Sequence, residues 1–161
     1  MNWLKKVFSK SKVEDSFTVR QGRVVKTDES FNAWTSGDFN RMIRAAKKRT
    51  NPVDRHFLLS QIVEETYRKR NENEMRRLCK EFSEKHINEF PGLLPYLKKE
   101  FDNKLPRIPT FQKYSTILTE DRQFQEAIEV CEMAMKNGLD DGTKSGFRGR
   151  IEKIKKKGDI K

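Results

Sequence analysis

Two short amphipathic stretches joined by a tight polar turn occupy Phe111 to Leu139, FQKYSTILTEDRQFQEAIEVCEMAMKNGL. They constrain the fold more than any other segment. The first carries Phe111, Tyr114 and Leu118, and the second carries Phe124, Ala127, Ile128, Cys131, Ala134 and Met135. Both sets follow the i, i+3, i+4, i+7 spacing of a helix with one buried stripe. Ala127 and Ala134, two turns apart, let a neighbouring backbone come close. A hairpin of this size cannot bury its apolar face alone, so the pattern predicts stacked neighbours. That points to a binding scaffold rather than to a catalyst.

Similar stripes recur along the chain. Phe39, Met42, Ile43 and Ala46 form one, with a proline after it at 52. Phe57, Leu59, Ile62, Val63, Thr66 and Tyr67 form a second, and Met75, Leu78, Cys79, Phe82 and His86 a third. The intervals are unequal because extra chain, FPGLLPYLKKEFDNKLPRIP, precedes the hairpin. Leu93, Leu94, Leu97 and Phe101 predict a separate amphipathic helix there, broken before by Pro91-Gly92 and after by Pro106 and Pro109. Helices are thus predicted near 38–49, 54–70, 73–88, 92–103, 110–120, 123–137 and 145–157. Asp38, Asp54 and Asn73 are the expected N-caps of three, and Asn137-Gly138 is a C-terminal stop. The last helix bears Phe147, Ile151 and Ile154 on one face and charge on the other, as a capping helix would. Near the start, Phe17, Val19, Val24 and Lys26 flank a Gln21-Gly22 turn and predict a small hairpin, which must pack on helices to be stable.

The 111–139 pair resembles a tetratricopeptide repeat (TPR). Phe111 stands at the Trp position, Tyr114-Ser115 at Leu-Gly, and Leu118 at the first helix's Tyr. Phe124 follows the turn, Ala127 and Ala134 match both alanines, Cys131 replaces an aromatic, and Leu139 replaces the proline. The resemblance covers roughly 36–140 and is specific over 111–139. It implies an all-α, TPR-like helical-hairpin repeat array, a right-handed α-solenoid, preceded by a short extended or hairpin segment; an irregular helical bundle is the alternative. It also implies that the first helix of each pair lines a groove for an extended peptide or partner helix. The matching positions are Gln61, Glu65 and Arg68 on one helix and Gln112, Thr116 and Thr119 on another. The family's Lys/Asn clamp for a peptide carboxylate is not matched, because Gln112 and Thr116 occupy those places.

Charge divides the chain into three parts. Of 161 residues, 35 are Lys or Arg and 24 are Asp or Glu, a net +11. Residues 1–27 hold seven basic and two acidic residues, and 144–161 hold eight and two. Residues 28–143 are neutral, with twenty of each. We therefore distinguish a basic arm at 1–27, a helical repeat domain at 28–143, and a basic capping helix and tail at 144–161. Basic ends suit weak contact with phosphates or anionic lipid. Lys5, Lys6, Arg148, Arg150, Lys153, Lys155, Lys156 and Lys157 form that surface, whose bland reading is a solvated face. In MNWLKKVFSKSK, Trp3, Leu4, Val7 and Phe8 share one helical face with lysines largely off it, the pattern of a peripheral membrane contact. The 28–40 end presents an apolar face that a neighbour, including a second copy, would cover.

Chemistry-bearing motifs are sparse. Neither His56 nor His86 has a histidine or carboxylate at i+4, and HExxH, CxxC, GxSxG and phosphate-loop patterns are missing. Asp140-Asp141-Gly142 lacks the distal Glu of a calcium loop and reads as a turn. No metal, no cofactor and no enzymatic activity are expected. Cys79 and Cys131 lie on apolar helix faces, as buried free thiols in a reducing compartment do. With no ~20-residue apolar run and no signal-peptide pattern, a cytoplasmic location is expected. The expected function is protein binding in the groove; the alternative is nucleic-acid or anionic-membrane binding through the basic ends.

Overall fold

A computed structural model describes residues 15–161. The amphipathic reading of residues 1–12, with Lys5 and Lys6, lies outside them. The described chain is mostly helical, in the order β1 (Phe17–Arg20), β2 (Arg23–Lys26), α1 (Glu29–Ser36), α2 (Phe39–Ala45), α3 (Pro52–Arg68), α4 (Asn73–Glu100), α5 (Thr110–Glu120), α6 (Phe124–Lys136) and α7 (Gly146–Gly158). The two strands pair antiparallel, Phe17 opposite Lys26 and Val19 opposite Val24, about the Gln21-Gly22 turn. From α3 onward each helix packs on the next in sequence, the α3–α4 contact being the most extensive.

One helix was not expected. α1 begins at Asp28, whose carboxylate accepts from the Phe31 N–H, and ends at Gly37 in the left-handed conformation. It buries Ala33 and sets Trp34 against Phe57, ring centroids 5.2 Å apart. α2 is shorter than the stretch predicted at 38–49, and Asp38 caps it as expected.

At the start of α3 the cap is Asn51 rather than Asp54. Asn51 accepts from the Asp54 N–H at 2.9 Å, and Pro52 follows at the first helical position, where its missing N–H costs nothing. Asp54 is instead a buried hub. Its carboxylate accepts from Arg20 (2.7 Å), Trp34 Nε1 (3.1 Å) and Asn51 Nδ2 (2.8 Å). It thereby ties β1, α1 and α3 together.

The predicted break at Pro91-Gly92 does not occur. α4 runs unbroken through Pro91 and Pro95. The apolar face shows why: Phe82, His86, Phe90, Leu93 and Leu97 keep helical phase across both prolines, and all are buried. Both proline rings are exposed, on the side where carbonyls deprived of an N–H can turn to water. Continuous burial of that face outweighs the ~3 kcal/mol penalty of an interior proline. Nor does Asn73 cap α4, since Glu72 holds that place without a side-chain bond.

The α5–α6 turn closes on Arg122 in the left-handed conformation, φ 60°. The N–H of Gln123 donates to Leu118 O (2.7 Å) and that of Arg122 to Thr119 O (3.1 Å), which satisfies the last carbonyls of α5. α6 stops as predicted, with Gly138 left-handed at φ 72°. Ala127, Cys131 and Ala134 are fully buried. At the far end Gly158 lets α7 meet Phe124: a Cβ there would sit 2.7 Å from the ring.

The centre of the α3–α4 pair is polar. His56 Nδ1 lies 3.0 Å from His86 Nε2, and His86 Nδ1 lies 2.7 Å from Thr110 Oγ1 at the first residue of α5. All three residues are buried. Burial pushes the His56 imidazole down to about 4. Burial, then the neighbouring His56 and Arg55, hold His86 well below its ordinary value. Both rings are neutral in the fold at pH 7, whereas in the unfolded chain they titrate near 6.5. Stability is therefore full above pH ~6.5 and falls as pH drops toward 4, because only the unfolded chain takes up the protons. Urea unfolding should lose about 2 kcal/mol from His56 alone between pH 7 and 5, with His86 adding in the same direction. A flat profile over that range would contradict the buried neutral pair.

Candidate functional site

α5 buries Phe111, Tyr114, Ile117 and Leu118 against its neighbours. Its opposite edge carries Gln112, Thr116 and Thr119, all half-buried. The threonine hydroxyls donate back along the helix, Thr116 to Gln112 O (2.9 Å) and Thr119 to Ser115 O (2.7 Å). Their lone pairs remain free to accept from outside the helix. α7 buries Phe147 and Ile154 as predicted. That orientation swings Arg150, Lys153 and Lys157 toward α5, where with Thr116 and Thr119 they line a cleft of about 300 Å³.

Asp141 organises this cleft. Its carboxylate accepts from the Thr143 N–H (3.0 Å) and hydroxyl (2.5 Å) and from Arg150 Nε (3.2 Å). Arg150 Nη1 donates onward to Thr116 Oγ1 (3.2 Å), which joins α7 to α5. Thr143 Oγ1 in turn accepts from the Gly146 N–H (3.1 Å) at the start of α7. Burial alone would raise the Asp141 carboxyl, but the bonds from Thr143 and Arg150 outweigh it and hold it below its usual range. The Asp140–Thr143 segment, read from the sequence as a turn, is thus the clamp that sets α7.

The second carboxylate at the cleft, Glu120, is also committed. Arg70 holds it at 3.0 Å and Arg76 at 3.1 Å, and the bond from Arg70 is the chief reason its carboxyl is lowered. Arg76 and Lys80 both reach Asp121 at 2.6 Å, so this network pins the α5–α6 turn to the start of α4. Lys153 and Lys157 differ. Neither has a carboxylate within ion-pair distance among the described residues. The cleft therefore presents two ammonium groups without counter-charges, beside the Thr119 hydroxyl and the Ser145 hydroxyl, which makes no capping bond.

The residues singled out from the sequence divide accordingly. Thr116, Thr119, Arg150, Lys153 and Lys157 converge on one cleft, although the sequence assigned them to a groove and to a basic surface separately. Gln112 lines a different depression, with the Leu105–Pro109 loop and the 138–142 turn. Gln61, Glu65 and Arg68 line neither this cleft nor that depression, and Glu65 pairs with Arg68 on the helix surface. Arg148 and Lys156 are exposed, and Lys155 lies half-buried beside Glu152.

Sequence reasoning missed Asp141 and the His56–His86 contact. The second had a signal: His56 and His86 are equidistant from Asn71, the midpoint of the α3–α4 turn, so antiparallel packing brings them together. Among the described residues no cluster of three metal-ligating side chains occurs. Both cysteines are buried and free, with burial raising Cys79 and pushing Cys131 up to about 11, which makes both poor nucleophiles. No described helix is long and apolar enough to cross a membrane. No family model, curated protein or solved structure matches the chain.

Replacing Asp141 by Ala removes Arg150's partner and the bonds that shape the Thr143 turn. The expected loss is about 1–3 kcal/mol, read as a lower urea-unfolding midpoint. A midpoint equal to wild type would mean that Asp141 does not set α7.

Proposed function

We propose that this chain is a non-enzymatic protein-interaction module whose α5–α7 cleft receives an acidic segment of a partner protein. The unpaired Lys153 and Lys157 carry this reading. Every carboxylate at the cleft already serves a basic residue of the fold, so the two ammonium groups are left for an external anion. Ser145 adds a hydroxyl that caps nothing in α7 and can donate to a carboxylate ligand. The sequential packing of α3 through α7 supports a stacked array of helical hairpins, in which α5 is a first helix and α7 the cap.

The setting favours protein over nucleic acid. Residues 28–143 are neutral, and the cleft offers two unpaired ammonium groups, too few to follow a continuous phosphate chain. Exposed aromatics that would stack bases do not line it.

Fluorescence anisotropy with a labelled Asp/Glu-rich peptide tests the reading. The acidic peptide should bind, and a neutral peptide of equal length should not. Lys153→Glu/Lys157→Glu should weaken binding at least ~100-fold, since two attractive contacts become repulsive. Both side chains are exposed, so the variant should keep the wild-type circular dichroism. Equal binding by wild type and variant, or preference for single-stranded nucleic acid with a steep salt dependence, would overturn it.

A further inference from the structure

The hairpin is inside out. Register places Phe17, Val19, Val24 and Lys26 on one face and Thr18, Arg20, Arg23 and Val25 on the other. A ribbon laid on helices ordinarily turns its apolar face inward. Here Arg20 goes inward, 2.7 Å from Asp54 and 3.9 Å from Glu100, and Arg23 reaches the Glu100 backbone carbonyl at 3.2 Å. The buried Asp54 carboxylate demands a cation, and satisfying it turns the apolar side chains out. Phe17, Val19 and Val24 are 60%, 68% and 72% exposed, three of the six exposed large apolar side chains among the described residues. Val19 and Val24 stand directly opposite each other, so the patch is contiguous. With that exposure the patch is open rather than recessed.

We propose that this outer face is a docking surface for an anionic lipid bilayer. Charge selects the occupant. Residues 1–27 carry seven basic and two acidic side chains, and one of those acids, Asp15, is taken by Lys26 at 2.7 Å. Four of those seven are lysines of 1–12, and laying that segment on the hairpin would set basic against basic. A second copy would bring the same excess. Arg20, Arg23 and Lys26 are paired within the fold, so an anionic bilayer supplies acyl chains for Phe17, Val19 and Val24 and acidic headgroups for the excess lysines of the arm. It also accepts an open face, since lipid needs no shaped pocket. A short amphipathic stretch such as Trp3, Leu4, Val7 and Phe8 anchors weakly by itself, and stable anchoring takes a second contact. The hairpin, which begins at Phe17, supplies it.

Vesicle sedimentation of the full chain tests this. The chain should pellet with phosphatidylcholine vesicles containing phosphatidylserine and stay in solution with phosphatidylcholine alone. Phe17→Ser/Val24→Ser should lower partitioning about tenfold or more while leaving circular dichroism and the unfolding midpoint unchanged, because both side chains are already exposed. Three results would overturn the proposal: a chain that ignores anionic vesicles, equal binding to both vesicle types, or a double variant that partitions like wild type. If the face held a protein or a second copy instead, the variant would lose that association and keep its lipid partitioning.

Discussion

The polar line from His56 through His86 to Thr110 is the contact on which the rest of the molecule depends. α3 and α4 would pack by their apolar stripes alone, but many registers of two such helices bury similar area. A buried hydrogen-bonded pair permits only the register in which the rings meet, since a slip strands donors and acceptors in apolar surroundings. Thr110 extends the constraint to the first residue of α5. From there the order is forced: α5 sets α6 through the Arg122 turn, α6 sets α7 through the Gly158–Phe124 approach, and α7 completes the cleft.

A second polar hub does the same work at the other end. Asp54, buried in the first turn of α3, collects Arg20, Trp34 and Asn51. It fixes the hairpin and α1 on the helical body, and because its partner must be cationic it decides which face of the hairpin looks outward. The exposed apolar patch follows from that one carboxylate and not from weakness in packing. The core itself is ordinary, with Phe90 edge-on to Phe111 at 5.5 Å and small residues on α6 admitting close neighbours.

Much of this was legible in the chain because it rests on local pattern. The α5–α6 stripe, the Asp38 cap, the Gly138 stop and the Gln21-Gly22 hairpin all act within a few residues. What was not legible depended on distant partners. Pro91 and Pro95 argue locally for a break, and only the unbroken burial of Phe90, Leu93 and Leu97 against other elements overrules them. Asp54 has the sequence context of a cap, and its use as a hub depends on Arg20, 34 residues away in the chain. α1 was hidden because Trp34 and Ala33 do not make a long apolar stripe; Asp28 and Gly37, at its two ends, were the available signs. For the candidate cleft, periodicity placed Thr116 and Thr119 on one helix edge and Lys153 and Lys157 on another. Only the fold brings those edges together, with Asp141 between them.

The proposed anion-receiving cleft joins α5 of the neutral body to α7 of the basic 144–161 segment, and the central claim is that it takes a partner segment. Amide and methyl chemical-shift mapping of the labelled chain during titration with an acidic peptide tests it most directly. The account predicts saturable shifts centred on Thr116, Thr119, Ser145, Lys153 and Lys157, fading toward α1 and α2. Saturable shifts centred on Gln61, Glu65 and Arg68 or on the hairpin, with the α5–α7 cleft silent, would contradict it.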